Sequence, residues 1–135
     1  MSFIDLIKDK NVTKGEDLEA EALIVAQKVL CNMGLDFIPR SYADFLHKYN
    51  GIKHDGVYLF GATVDDDMDI IDKNEQLDKP QNVILLGCND FDLLCYDFKL
   101  KQYKIVDRSD FEVLETYSDD ELDNALTAIF SVQPK

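Results

Sequence analysis

The chain has 135 residues and a mass of 15.5 kDa, the length of one domain, able to bury roughly two-thirds of its unfolded surface without disulfide or metal staples. Hydrophobic residues make up 46% and charged residues 30%, which excludes a disordered chain. Lys and Arg number 14 against 27 Asp and Glu, a net charge of −13, so nucleic acid and anionic membrane are excluded as direct ligands and a basic protein is favoured.

The opening residues Met1 to Lys10 carry a charge every few positions and no apolar h-region, so no signal peptide is expected. No run approaches the roughly 18 apolar residues of a membrane span. Cys31, Cys88 and Cys95 are odd in number and irregularly spaced, a pattern that fits a reducing cytoplasm and small core residues. Phe3, Ile4 and Ile7 are spaced for a short N-terminal helix.

From Glu16 to Met33, Leu18, Ala22, Val25, Ala26, Val29, Leu30 and Met33 recur at helical spacing, with Thr13 and Glu16 at capping-box distance and Gly34 as the stop. A second helix follows Ile38-Pro39: Tyr42, Phe45, Leu46 and Tyr49 form an apolar stripe that Asn50-Gly51 terminates. Val57 to Phe60 and Val83 to Leu86 then read as buried strands. The acidic stretch from Asp65 to Lys79 between them is either a short helix or an exposed loop. Leu93 to Asp97 and Tyr103 to Asp107 flank a polar turn and form a hairpin, and Phe111 to Leu114 is a candidate further strand. A third helix is expected from Ser118, with Ser118-Asp119-Asp120-Glu121 as a capping box and Leu122, Ala125, Leu126, Ile129 and Phe130 as its buried face. Helices near both ends and a mostly antiparallel sheet between them make an α+β fold in a single domain spanning residues 1–135.

Chemistry is harder to find. Gly51, Gly56 and Gly61 lack the Gly-Lys-Ser/Thr of a phosphate loop, and no Gly-x-Ser-x-Gly is present. His47 and His54 fall outside any metal-ligand spacing and read as surface residues. Asp65, Asp67 and Asp69 match the first positions of a calcium loop, but Ile70 stands where glycine turns the loop and Gln76 where glutamate closes it. No cofactor, metal site or catalytic set is therefore expected. The acidic run reads as a solvated loop or a protein-docking patch, joined by Asp55, Asp90 and Asp92.

The segment Gly34-Leu35-Asp36-Phe37-Ile38-Pro39-Arg40-Ser41-Tyr42, leading into Ala43-Asp44-Phe45-Leu46-His47-Lys48-Tyr49-Asn50-Gly51, resembles the Leu-Pro-x-x-Tyr-x-x-Phe-Leu-x-x-x-Asn-Gly signature of the SUKH superfamily. Asp55 to Gly61, Val83 to Gly87, Leu94 to Asp97 and the last helix fit the same pattern. The likeness covers roughly residues 15 to 131 and is strongest to the YrhA-like branch, with Ile38 in place of the usual Leu. Most of these residues are structural in kind: a helix start, a stripe for the sheet and a left-handed exit.

The resemblance implies a non-catalytic immunity protein that neutralises a polymorphic toxin, often a nuclease, by covering its active site. Fungal relatives imply the alternative, an intracellular regulatory or scaffold domain with an endogenous partner. For the first, contact candidates are Asp65, Asp66, Asp67, Asp69, Asp90 and Asp92, with Tyr58 and Tyr103 as exposed aromatic anchors. Carboxylates at the rim would raise the association rate with a basic toxin domain, and an apolar centre would hold it.

Overall fold

A computed structural model describes residues 13–14, 20–34, 38–54, 56–62, 69–76 and 83–130. In chain order these form β1 (Thr13–Lys14), α1 (Ala20–Asn32), α2 (Arg40–Lys48), β2 (Ile52–His54), β3 (Val57–Leu59), α3 (Ile70–Gln76), β4 (Val83–Cys88), β5 (Asp92–Asp97), β6 (Gln102–Asp107), β7 (Val113–Ser118) and α4 (Leu122–Phe130). The described strands make one sheet in the order β1 to β7, each pair of neighbours antiparallel. The fold is α+β, with helices flanking this meander.

The stripe of α2 explains its position. Tyr42, Phe45 and Leu46 are buried, and Ser41 meets Tyr103 hydroxyl to hydroxyl, which sets α2 on the face of the sheet that carries Tyr96 and Tyr103. The Tyr42 hydroxyl donates to the carbonyls of Phe60 and Leu86, joining α2 to β3 and β4 where β4 bulges between Leu85 and Gly87. The helix ends where Tyr49 turns extended at φ −138°, and Gly51, two residues on, takes φ +99°, so the left-handed exit expected at Asn50-Gly51 is not the helix stop. Beside α2 lies α4, burying Leu122, Ala125, Leu126, Ile129 and Phe130. Every residue of β4 is buried, so this strand has no solvent face.

Three buried asparagines act as substitutes for missing backbone partners. Asn50 donates from Nδ2 to the Ala62 carbonyl and accepts the Ala62 N–H at 2.7 Å. Asn74 donates to the carbonyls of Ile70 and Leu85 and accepts the Leu85 N–H at 2.8 Å. Beyond Leu59–Gly87 the ladder of β3 with β4 ends, with one last bond from the Phe60 N–H to the Leu86 carbonyl, and the carboxamide from α3 satisfies the edge at Leu85. Asn89 accepts from the N–H groups of Phe91 and Asp92 and donates to the Ile129 carbonyl at the end of α4. The buried carboxylate Asp97 accepts from Lys99 and Leu100 N–H and pairs with Lys104 at 3.0 Å. None of the buried side-chain polar atoms described lacks a partner.

Several expectations are corrected. Thr13 belongs to a two-residue strand, not a helix cap, because its backbone pairs with β2. Val25, placed on the apolar face of the first helix, is exposed along with Ile24, and Leu23, Ala26 and Leu30 make the buried stripe. The strand expected at Phe111 to Leu114 begins later and runs through Ser118. The last helix therefore starts at Leu122 rather than Ser118. Ser118 remains in the ladder opposite Gln102, while the Glu121 carboxylate accepts its N–H and hydroxyl. Only the returning half of a capping box forms. Cys88 and Cys95 are buried as expected, but Cys31 is exposed. The proposed helix at Phe3 to Ile7 lies outside the described residues.

Candidate functional site

The hydroxyls and thiol in the core are set for packing. Burial pushes Tyr42 and Tyr103 well above the usual phenol range, and it raises the Cys88 thiol against the lowering pull of Arg108 and Lys73. All three stay protonated at neutral pH, so none is primed as a nucleophile. Among the described residues no group of three or more His, Cys, Asp or Glu is placed to hold a metal ion.

Of the expected contact residues, Asp65, Asp66 and Asp67 lie outside the described residues. Asp69 bridges to Gly61 and accepts the Ile71 N–H at the start of α3. Asp90 and Asp92 stand at the other end of β3, where the Asp90 carboxylate crowds Gly56. Gly56 and Gly61 bracket that strand, with Asp90 beside the first and Asp69 bridged to the second. The sequence treats Asp69 and the Asp90–Asp92 pair as one patch; the structure holds them apart.

The aromatic expectation also changes. Tyr103 is no anchor: its ring is 0% exposed, because register places it opposite Tyr96 in β5 and beneath Ser41. Tyr58 is half-buried, with the Lys53 ammonium 5.4 Å from its ring centre. Among the described residues the most exposed aromatic is Phe91, 47% exposed and lying between Asp90 and Asp92.

Local chemistry presents that ring. Asn89 Oδ1 accepts from Phe91 and Asp92 at 2.8 and 2.7 Å, its N–H returns to the Asp92 carbonyl, and Arg108 donates to the Asn89 carbonyl at 2.9 Å. Arg108 N–H also donates to the Phe91 carbonyl. Thus the turn from Asn89 to Asp92 is tied to its own side chain, to the end of α4 and to the turn after β6. Nearby, Phe111 holds φ +61°, a left-handed conformation unusual for so bulky a residue.

Around Phe91 carboxylates outnumber the Arg108 guanidinium that is held in the turn. Asp92 lies directly opposite Asp107 in the ladder, and Glu115 follows on β7 opposite Ile105. Burial, then Asp107 and Glu115, raise the Asp92 carboxyl above its usual range. Asp107 moves the other way, lowered by the Ser109 hydroxyl and backbone N–H that donate to it. Like charges directly opposite in a sheet are destabilising. Because the folded state holds the Asp92 proton to higher pH than the unfolded chain, this group adds stability on the acid side and loses it as pH rises through the raised value. Asp92→Asn is therefore expected to raise Tm at pH 7. The gain should shrink at acid pH, as wild-type Asp92 takes up its own proton on the way down through the raised value. Equal gains at both pH values in calorimetry would mean the charge pair is not the cause.

A second surface lies between α2 and α4, a groove of about 260 Å³ floored by Phe45, Leu122 and Leu126 and rimmed by Asp44, Asp120 and Asp123. The sequence reading missed it, as it missed Phe91 and Asn89. Asp44 and Phe45 share a turn of α2, a signal that marks a helix edge but not which element lies beside it. For Phe91 the signal was available: an aromatic inside Asn-Asp-Phe-Asp, between two strands, sits in a turn and has little chance of burial.

The chain matches no family model and no curated protein. No described helix is long and apolar enough to cross a membrane.

Proposed function

We propose that this chain is a non-catalytic binding protein, an immunity protein of SUKH type that neutralises a basic toxin domain by occluding its active site. The observation that carries the reading is the end of the sheet at Phe91: an exposed aromatic on a rigid turn, ringed by Asp90, Asp92 and Asp107, in a chain of net charge −13. A like-charge cross-strand pair is a standing cost in the free protein, and a partner's Lys or Arg would remove it. The ring supplies apolar area of the kind found at interface centres, while the carboxylates steer a basic surface toward it. A nuclease toxin suits this partner chemistry, because a cleft that binds phosphate is itself basic.

The test is capture of the C-terminal toxin domains encoded in the same genome, with kinetics followed across a salt series. One toxin domain should bind, lose activity at stoichiometric ratio, and associate more slowly as salt rises. Phe91→Ser should speed dissociation about tenfold or more, whereas Asp90→Asn with Asp92→Asn should mainly slow association. Every toxin domain remaining active, with capture only of an endogenous regulatory protein, would replace this reading by the scaffold one. An unaltered Phe91→Ser complex would move the interface elsewhere.

A further inference from the structure

The groove between α2 and α4 has a composition that selects its occupant. Its floor is apolar, Phe45 from one helix and Leu122 and Leu126 from the other. Its rim carries carboxylates from both sides, Asp44 on α2 and Asp120 and Asp123 at the start of α4, against a single ammonium, Lys48. A volume of about 260 Å³ falls below the roughly 300–1,000 Å³ of sites for drug-sized ligands and suits one long side chain.

We propose that this groove receives a single arginine side chain from an extended segment of a basic partner protein. The three methylenes of arginine lie over the Phe45 and Leu122 surfaces as an apolar stem. The planar guanidinium, with five donors in a fork, then meets carboxylates arriving from two helices at once. Lysine has the charge but a point-like head, so it engages one rim carboxylate at a time. An acidic segment meets the wrong charge, and a purely apolar one offers the rim no donor.

Lys48 has a defined part in this. It stands one helical turn beyond Asp44, the spacing at which opposite charges meet on a helix, and so competes for the same carboxylate. Its removal should tighten arginine binding. The site is separate from the Phe91 turn, because α4 runs from the groove at Leu122 to the Asn89 turn at Ile129. The inference draws on the proposed function only for the source of the arginine, a basic protein.

The experiment uses the full chain and no partner. Amide chemical shifts would be followed as the tripeptide acetyl-Leu-Arg-Leu-amide is added to about 10 mM, a range that reads millimolar affinity. A second titration uses the same peptide with neutral citrulline in place of arginine. The expected result is saturable shifts confined to α2 and the first half of α4, with citrulline binding at least several-fold more weakly. Asp44→Asn with Asp123→Asn should weaken the arginine peptide about threefold to tenfold, and Lys48→Ala should strengthen it. Those exchanges are at exposed positions, and unchanged amide spectra outside the groove would establish that the fold is intact. Shifts scattered over the surface, equal binding of the citrulline peptide, indifference to the Asp exchanges, or no saturable shift would each overturn the proposal. A failed toxin capture would leave this result standing, and the reverse holds too.

Discussion

Gly61→Ala is expected to destabilise the protein by about 4 kcal/mol, close to the whole stability of a small domain at the lower end of the usual range. A β-carbon at position 61 would lie 2.5 Å from both the backbone oxygen and Oδ1 of Asn50, and 2.6 Å from its carbonyl carbon. Backbone on that side cannot yield as a flexible side chain would. Asn50 is also the residue whose carboxamide pairs with both the N–H and the carbonyl of buried Ala62, and Gly51 beside it is committed to φ +99°. Overpacking alone costs about 1–3 kcal/mol. Displacing Asn50 adds the desolvation of unpaired groups, about 1–3 kcal/mol each. Urea denaturation would read the loss as a lower midpoint at unchanged slope. A midpoint within error of the wild type would mean that Asn50 and Gly61 are not held this closely.

Asn74→Ala should cost about 3 kcal/mol. The exchange removes a carboxamide that is 5% exposed and serves both polar groups of Leu85. Those groups belong to a strand buried throughout its length, so water cannot replace the lost partner without opening the structure. Asn74→Asp separates hydrogen bonding from shape. At neutral pH its carboxylate would face the carbonyls of Ile70 and Leu85, where Nδ2 now donates, and the loss should exceed that of the alanine variant. Burial raises the pKa of such a carboxyl, and once protonated it can donate to one carbonyl while still accepting from Leu85. The aspartate variant should thus recover toward acid pH and the alanine variant should not. Parallel melting curves from pH 7 to pH 4 would show it, and equal pH dependence of the two would reject the edge-capping role.

Much of the fold follows from local physics. The stripe Tyr42, Phe45, Leu46 identifies α2 and its buried face, although an extended Tyr49 ends the helix before Asn50-Gly51 is reached. The strands at Val57, Val83, Leu93 and Tyr103 follow from apolar β-formers between turn residues. Each of these depends on neighbours within one turn or one strand, and a sequence records such neighbours directly. The boundary errors share a cause. Ser118 has the chemistry of a helix cap, but the ladder with Gln102 recruits its backbone first. In the same way, Thr13 pairs with Lys53. A long-range partner outbids a local preference of about 1 kcal/mol.

The surfaces divide along the same line. Net charge, and with it the preference for a basic partner, is a sum over residues and needs no coordinates. Where that charge concentrates is a matter of register. The sequence cannot place Asp92 opposite Asp107, because a slip of one residue would turn every side chain in β6 to the other face. That register also buries Tyr103, while the turn between β4 and β5 leaves Phe91 outward. The groove depends on still longer separation, since Asp44 and Asp123 come from helices on either side of strands β2 to β7 in the sequence and meet only because both pack on one sheet. Composition determined the sign of the partner's charge; tertiary packing alone decided which side chains meet it.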